Sequence, residues 1–283
     1  MDAIILLNKP AGMTSFDAIS RCRRVFHEKK AGHTGTLDPN ATGLMIVLLG
    51  KYTKLVPYCI KDHKHYIAEF KLGIRTDTED IWGNEVEEKE PKFYSQEELD
   101  KVCKKMTGDL MQVPPMYSAL KKDGKKLYEL ARKGIEIERE PRPIHVSSLT
   151  VSEIGENLYQ MDAVVSSGTY IRTLISDFAK ELGEVGTMTS LVRYGIESLS
   201  LEDCISLDDL EKASLGKGFT TPDKVIDPIW QRVEIDKYQD VLNGKRIRLN
   251  TIYDNVILTH SGSILAAYAR ENGNVFHCIR GLF

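Results

Sequence analysis

LYQMDAVVSSGTYIRTLISDFAKELG, residues 158–183, combines the two hydrophobic periodicities from which a mixed fold is built. Its first eight residues predict a strand, and the Ser-Ser-Gly that follows predicts a tight turn. The turn leads into a helix that ends at Gly183. The pattern therefore places Tyr170 and Arg172 in the first turn of a core helix, at a strand-to-helix corner. The apolar residues of this helix recur at i, i+3, i+4, i+7, i+8 and i+11, as Ile171, Leu174, Ile175, Phe178, Ala179 and Leu182.

Three further segments have the length and composition of buried or half-buried strands. In the last of them the residues alternate, so that Tyr66, Ala68, Phe70 and Leu72 share one face. The three segments are AIILLN (3–8), GLMIVLLG (43–50) and HYIAEFKLG (65–73).

Three segments outside the opening stretch predict helices. TSFDAISRCRRVF (14–26) begins at a Thr or Ser cap, and Phe16, Ile19 and Phe26 fall near one face. SQEELDKVCKKMTG (95–108) carries a capping box, and KDGKKLYELARKG (122–134) predicts a shorter helix. The acidic segment RTDTEDIWGNEVEEKE (75–90) predicts an exposed loop whose carboxylates are solvated; these include Asp77, Glu79 and Asp80.

The character of the chain changes after about residue 225. Short strand-like runs follow one another, and Ser261-Gly262 and Asn272-Gly273 between them are hairpin signals. We therefore predict a larger domain over residues 1–225 and a small β-rich module over 226–283.

Composition excludes several classes of function. The five cysteines are isolated and form no C-x-x-C, and the seven histidines form no H-E-x-x-H, so neither a disulfide framework nor a metal site is expected. G-x-x-x-x-G-K-[ST] and G-x-G-x-x-G are both absent. We therefore predict an enzyme or binding protein without metal or cofactor, in a reducing cytoplasm, with no membrane span.

The charge of the chain is unevenly distributed around a net value of −3. Residues 1–66 carry +5, residues 121–145 carry +3 and residues 244–283 carry +3, whereas residues 76–100 carry −8. The basic blocks are compatible with one nucleic-acid-binding face, and equally with ordinary solvated charge.

One carboxylate stands out in the turn-rich segment AGHTGTLDPNATG (31–43). Pro39 biases Asp38 toward an extended backbone, and the flanking glycines permit close approach of another chain. Asp38 is therefore a candidate nucleophile, although an Asp-Pro turn is also a common structural device.

Five blocks together resemble bacterial tRNA pseudouridine-55 synthases, the TruB family. The resemblance spans roughly residues 3–200, and the blocks stand in the family's order. They are LNKPAGMTSFDAI, KKAGHTGTLDPNATGLMIVLLGKYTKL, HYIAEFKLGIRTDTED, QVPPMYSALKKDGKKLYELAR and SSGTYIRTLISDFAKELG. Over residues 225–283 the likeness is to the family's PUA-type RNA-binding module and rests on the β-rich pattern.

The resemblance implies an α+β pseudouridine synthase fold, with a mixed, largely antiparallel sheet flanked by helices and a small C-terminal PUA-like module. It implies isomerisation of uridine to pseudouridine at position 55 in the T-loop of tRNA. The N1–C1′ bond breaks, the uracil turns and C5 joins C1′, without any cofactor. The resemblance also implies that the substrate is bound through the T-stem loop by a cytoplasmic enzyme, and we expect a monomer.

The resemblance also assigns the catalytic residues. Asp38 matches the catalytic aspartate, which attacks C1′, attacks ring C6 or assists deprotonation in a glycal route. Arg172 matches the arginine that pairs with it and holds it anionic. Tyr66 matches the tyrosine that stacks on the extruded uracil and can relay a proton, with core packing as the alternative role. Leu191 matches the apolar residue on the other side of the base.

Several further residues are expected to support substrate binding. His33 matches a position near the flipped nucleotide, and Tyr170 is expected to support the active-site corner. Lys9 fits a structural or an RNA-facing role. Basic residues in the P-P-x-Y-S-A block are expected to face phosphates. The candidates in that block are Tyr117, Lys121 and Lys122.

A different class of function remains open at this stage. A non-catalytic RNA chaperone or ribosome-assembly factor could bind T-loop-like RNA with the same surface. The acidic overall balance further predicts that shape carries much of the recognition, so that RNA binding has a modest salt dependence.

Overall fold

The computed structural model describes residues 1–122, 124–212, 216–236 and 238–282. Its helices are α1 (Ser15–Val25), α2 (Gln96–Lys105), α3 (Leu127–Ala131), α4 (Ile171–Glu181), α5 (Leu207–Leu210), α6 (Pro222–Val225) and α7 (Gln239–Leu242), with 3₁₀ segments at Gly50–Tyr58 and Leu201–Asp203. Its strands are β1 (Ala3–Lys9), β2 (Ala31–His33), β3 (Thr42–Leu49), β4 (Lys64–Leu72), β5 (Ile74–Thr76), β6 (Glu85–Glu88), β7 (Gly108–Gln112), β8 (Lys121–Lys122), β9 (Lys125–Lys126), β10 (Arg142–Gly155), β11 (Leu158–Val165), β12 (Gly186–Ile196), β13 (Leu199–Ser200), β14 (Ile205–Ser206), β15 (Phe219–Thr220), β16 (Gln231–Glu234), β17 (Ile247–Arg248), β18 (Asn255–His260), β19 (Ser263–Asn272) and β20 (Val275–Gly281).

One large sheet organises the first three quarters of the chain, from β1 to β15. Its strands follow the order β14-β1-β3-β12-β4-β11-β10-β7, with β2, β13 and β15 paired at its side. Only the β1–β14 and β3–β12 pairs are parallel among the described strands of this sheet. The prediction of a mixed, largely antiparallel sheet flanked by helices is therefore confirmed.

Both faces of β1 and β3 are covered, and β4, β10 and β11 bury one face. On one face, α1 packs on β1 and β3 through Ala18, Ile19 and Cys22. In the other half of the sheet, α2 and α4 pack over β4, β10 and β11. The opposite face of β1 and β3 packs against the C-terminal strands, through Ile257 and Ala267.

A second sheet forms from residues beyond the large one. Its order is β16-β18-β19-β20-β17, and the two predicted hairpins join β18 to β19 and β19 to β20. Gly262 takes a positive φ of 75° in the first hairpin turn, as the Ser-Gly signal requires. Within the described residues, no helix is long and apolar enough to cross a bilayer.

The topology brings the ends of several strands and the starts of two helices together at one end of the large sheet. Lys9 at the end of β1 pairs with Gly43 near the start of β3, and Val192 of β12 pairs with Thr42. α1 begins just after β1, and α4 begins just after β11 at the predicted corner. The loop that carries Asp38 therefore lies where the two halves of the sheet meet.

Two predictions about helices are wrong in detail. Phe16 does not face the core: it is 69% exposed, because α1 buries Ser15, Ala18, Ile19 and Cys22 instead. The predicted helix over 122–134 is reduced to the five residues of α3, since Lys121–Lys122 and Lys125–Lys126 pair as short antiparallel strands, which we call the lysine hairpin; residue 123 lies outside the described residues.

Candidate active site

Hydrogen bonds with Ser15 of α1 and within the loop itself fix the backbone around Asp38. Leu37 is buried; its N–H donates to Ser15 Oγ at 2.9 Å, and that hydroxyl donates to the Leu37 carbonyl at 3.1 Å. The Ala41 N–H closes a turn on the Asp38 carbonyl at 3.1 Å. The Asp38 side chain nevertheless remains 43% exposed. The loop therefore presents an open carboxylate on a rigid base.

Lys9 secures the same loop from inside the protein. It is fully buried, and its ammonium donates to the carbonyls of Pro10 (2.8 Å), Met13 (2.7 Å) and Pro39 (3.0 Å). Burial lowers the pKa of Lys9 to about 8. With three carbonyl acceptors around its ammonium, Lys9 is placed for the structural role rather than the RNA-facing one.

Arg172 joins three chain segments at the site. Its Nε donates to Asp38 Oδ2 at 3.0 Å, Nη1 donates to the Thr78 carbonyl at 2.7 Å and Nη2 donates to the Tyr117 carbonyl at 2.9 Å. Its side chain is only 4% exposed. A buried guanidinium used in three directions fixes the position of the Asp38 carboxylate and places a positive charge beside it.

The acidic loop supplies two carboxylates that sequence analysis missed. Asp80 Oδ2 lies 3.9 Å from Arg172 Nε, and Glu79 accepts a hydrogen bond from Thr173 Oγ1 at 2.6 Å. Burial raises the pKa of both carboxyls. The prediction that they are solvated is therefore wrong: the segment folds back over the first turn of α4. Their place within the R-T-D-T-E-D block was the available signal.

Tyr66 and Leu191 form an apolar wall beside Asp38. They lie on the neighbouring strands β4 and β12, and both belong to the buried cluster that includes Leu37 and Ala41 on either side of Asp38. Among the described residues, the Tyr66 hydroxyl has no hydrogen-bond partner, so it is available to a ligand. Asp38 and Arg172 are thus joined directly, and Tyr66 and Leu191 lie in the apolar cluster that flanks the Asp38 loop. That these four residues act together on a substrate stays a prediction.

Two buried basic residues, Arg193 and Lys64, lie on the protein side of the loop that carries Asp38. Arg193 is 1% exposed, and it donates to the Leu44 carbonyl from Nε at 2.7 Å and to the Gly35 carbonyl from Nη2 at 3.2 Å. Lys64 donates to Ser167 Oγ at 3.2 Å, and burial with help from Arg193 lowers its pKa to about 8. Neither residue was a sequence candidate, because a single basic residue in an apolar strand gives no distinct signal.

His33 belongs to the same region. Its Nδ1 accepts from the Gly35 N–H at 3.1 Å, and burial together with the nearby Arg193 lowers its pKa. His33 therefore favours the neutral imidazole more than an exposed histidine does, and it contacts the loop that carries Asp38.

The remaining candidates lie at increasing distance from Asp38. Tyr170 precedes α4, and Gln112 brackets it: the Tyr170 N–H donates to Oε1 at 2.9 Å and its carbonyl accepts from Nε2 at 3.1 Å. Tyr117 contributes its carbonyl to Arg172. Lys121 and Lys122 are exposed on the lysine hairpin, where Lys122 Nζ donates to the Glu138 carbonyl at 2.6 Å. These two lysines are not brought to Asp38 itself.

The arrangement suits a reaction on a planar ring that belongs to a separate, flexible polymer chain. The open carboxylate can act as a nucleophile or a base, and Tyr66 and Leu191 offer apolar surface to a planar group. In the part of the chain that the structure describes, no three His, Cys, Asp or Glu side chains are grouped so that they could hold a metal ion.

Comparisons with known proteins agree with this geometry. A family model described as TruB family pseudouridylate synthase (N terminal domain) matches residues 23–171. A protein from Mesoplasma florum named tRNA pseudouridine synthase B is 40% identical over 280 residues, covering 98% of this chain and 97% of that protein. A protein of the same name from Clostridium tetani is 36% identical over 273 residues, covering 96% of this chain and 93% of the relative.

Solved structures show the same fold. A chain from a crystal structure of a Cbf5-Nop10-Gar1 complex superposes with a TM-score of 0.73 at 22% identity, and the match covers 99% of this chain and 85% of the other. The resemblance inferred from the five sequence blocks is therefore confirmed, and the chain belongs to the TruB family of pseudouridylate synthases.

Proposed function

We propose that this protein isomerises uridine to pseudouridine at position 55 in the T-loop of tRNA. The observation that carries the proposal is the open Asp38 carboxylate, held by the buried Arg172 beside Tyr66 and Leu191. Relatives that span nearly the whole chain are named tRNA pseudouridine synthase B. Family membership and the site therefore point to the same reaction.

The target uridine must leave the T-loop stack to reach Asp38. Extruding a base costs a few kcal/mol, which stacking and backbone contacts in the pocket offset. Tyr66 covers one face of the extruded uracil and Leu191 the other. Such a pocket accepts a flat ring and leaves its sugar edge toward Asp38.

Asp38 acts as the anion that starts the reaction. It attacks C1′, attacks C6, or assists removal of a sugar proton in a glycal route, and the geometry is compatible with each. In every route the N1–C1′ bond breaks and a C5–C1′ bond forms. The proton leaves C5 and N1 gains one, so the isomerisation needs no oxidant, reductant or cofactor.

Arg172 pairs with the Asp38 carboxylate and orients it. The positive charge of its guanidinium faces the carboxylate, and its two other hydrogen bonds hold the guanidinium in place. The Tyr66 hydroxyl, which has no partner among the described side chains, is placed to take or relay a proton.

Surfaces outside the pocket complete the proposal. Lys121 and Lys122 face phosphates of the T-stem, and residues 226–283 form an RNA-binding module of the PUA type. We expect a monomer that works in the cytoplasm. The non-catalytic alternative is not favoured, because Asp38, Arg172 and Tyr66 are all present and relatives over nearly the whole chain are named as synthases.

The test is the conversion of an unmodified tRNA transcript without any added cofactor. We expect pseudouridine at position 55 and at no other position, mapped by reverse transcription after carbodiimide derivatisation. A transcript with cytidine at position 55 is the matched control and should give no product. Absence of pseudouridine from the uridine transcript, or its formation elsewhere, contradicts the proposal.

A further inference from the structure

We propose that the outward face of α1 is a second RNA-binding surface, on which the backbone of the tRNA continues from the Asp38 pocket. The surface, which we name the α1 track, consists of Phe16, Ser20, Arg23, Arg24 and His27. The inference rests on the proposed function, because it takes tRNA as the ligand.

The α1 track begins at the active-site loop. Ser15, the first residue of α1, exchanges two hydrogen bonds with Leu37, the residue before Asp38. Phe16 follows directly and is 69% exposed. By contrast Phe26, at the other end of the helix, packs edge-on against Phe219 with ring centroids 5.8 Å apart. A single exposed aromatic is common on protein surfaces, so the residues that continue this face decide the matter.

Helical spacing aligns those residues. Phe16, Ser20 and Arg23 stand at i, i+4 and i+7 and therefore share one face, with Arg24 beside them. The helix extends about 16 Å from the loop. Along it runs an open surface depression of about 600 Å³, whose lining includes Ser20, Arg23, Arg24 and His27.

The depression carries positive charge that the protein does not neutralise. Within the described residues, no carboxylate lies within ion-pair distance of Arg23 or Arg24. Arg21, on the neighbouring side of the helix, instead pairs with Asp208 at 3.2 Å and with Glu211 at 3.7 Å. The protein therefore neutralises one flank of α1 and leaves the other open.

The two carboxylates of the depression are already occupied. Asp17 accepts from the Thr14 N–H at 3.0 Å and from the Thr14 hydroxyl at 2.6 Å, which caps the helix. Glu28 pairs with the N-terminal ammonium at 2.7 Å. The N-terminal ammonium thus offsets the charge of Glu28, and the remaining anionic group, Asp17, lies at the opposite end of α1 from Arg23 and Arg24.

An exposed aromatic ring followed by two arginines without carboxylate partners fits a single strand of RNA. Its phosphates pair with guanidinium groups, and its bases stack on an exposed aromatic ring. The surface also begins at Phe16, one residue after Ser15, whose hydrogen bonds hold the loop that carries Asp38. A base that flanks the extruded uridine would stack on Phe16, while the backbone follows Arg23 and Arg24.

Binding measurements on the Asp38→Asn background test the α1 track without turnover. The dissociation constant for tRNA is measured by fluorescence anisotropy over a series of salt concentrations. Arg23→Gln combined with Arg24→Gln should raise Kd about tenfold near 0.1 M salt and lower the salt slope by about 1 to 2. The matched control is Lys101→Gln with Lys104→Gln, on the exposed side of α2 at the far end of the sheet, which should change neither quantity.

Phe16 is tested by a change that leaves the charge intact. Phe16→Ala should raise Kd about tenfold with an unchanged salt slope, and Phe16→Tyr should restore binding because the ring is retained. Phe93→Ala is the control: Phe93 is 78% exposed, next to Tyr94, which bonds to Leu182 at the far end of α4. All the substituted side chains lie at the surface, and melting curves check that each variant is folded.

The proposal is overturned if tRNA affinity and salt slope are the same in the Arg23–Arg24 variant as in the Lys101–Lys104 control. That result would leave the depression to an acidic protein partner instead. Failure of the proposed function is a separate observation, since it appears as absence of pseudouridine with the wild-type protein.

Discussion

Replacing Arg172 by lysine keeps the positive charge and removes the planar fork. The guanidinium donates to Asp38, to the Thr78 carbonyl and to the Tyr117 carbonyl, in three different directions. A lysine ammonium stands at one point on a flexible stem, so it can replace one of these contacts but not all three. Arg172→Lys thus separates the geometry of the site from its charge.

The stability cost follows from the two contacts that are lost. Each hydrogen bond to a charged group contributes about 1.5–3 kcal/mol, and water entering the gap recovers part of that. We expect the free energy of unfolding to fall by about 3 kcal/mol. For a protein of this size the Tm then drops by roughly 6–12 °C. The variant should remain folded at 25 °C.

The effect on the reaction should be larger than folding can explain. Without the fork, the Asp38 carboxylate is free to rotate away from the substrate, and a misplacement of about 1 Å costs around 100-fold in rate. The assay is single-turnover pseudouridine formation at 25 °C with saturating enzyme, so that neither tRNA affinity nor folding limits the rate. We expect a decrease of at least about 100-fold.

A matched control exists in the C-terminal sheet. Arg270 also divides its guanidinium between a carboxylate, Asp254 at 2.7 Å, and backbone carbonyls, those of Thr251 and Tyr253 at 2.8 Å. Arg270→Lys should lower the Tm and leave the single-turnover rate unchanged. The reasoning is refuted if Arg172→Lys retains the wild-type rate, or if both variants lose rate equally.

Three further predictions concern pH, packing and the tyrosine. Burial lowers the pKa of Lys64 from 10.5 to about 8, so between these pH values the unfolded chain binds more protons than the folded one and the folded state gains stability as pH rises. Urea unfolding near pH 7 and near pH 10 should therefore show the free energy of unfolding of the wild type rising by up to about 3 kcal/mol relative to Lys64→Met. A difference that does not change with pH would contradict the lowered pKa of Lys64. Gly43 has φ +106° and a Cβ there would lie 2.3 Å from the Arg193 carbonyl, so Gly43→Ala should cost about 3 kcal/mol or more in thermal unfolding, whereas Gly108→Ala, with φ +105° and open space, should cost about 1 kcal/mol. Tyr66→Phe should leave the Tm unchanged because the hydroxyl has no partner within the described structure, yet slow single turnover by about 100-fold; an unaltered rate would restrict Tyr66 to stacking.

The local elements were predictable because their signals are local. The capping box at Ser95 and Glu98 and the hairpin residues Ser261-Gly262 act over three or four positions, and the structure has them as predicted. The apolar period after Gly168 likewise gave α4, whose buried residues include all but the last of the predicted stripe.

The site was only partly predictable. The residues around Asp38 left it open between a nucleophile and a structural turn, and the pairing with Arg172 came from the family resemblance. Glu79 and Asp80 were misjudged because their acidic surroundings indicate solvent, whereas the fold brings them back onto α4. Phe16 was misjudged for a related reason: the hydrogen bonds of Ser15 to the Asp38 loop set the rotation of α1, and periodicity does not record them.

The measurement that tests the central claim most directly is tritium release from tRNA labelled at uridine C5. Isomerisation detaches that tritium, so wild-type protein should release it without any added cofactor. Asp38→Asn should bind the same tRNA with similar affinity and release none above background, because the amide can neither attack nor accept a proton as the carboxylate does. Release by Asp38→Asn at the wild-type rate would contradict the assignment of Asp38 as the catalytic residue.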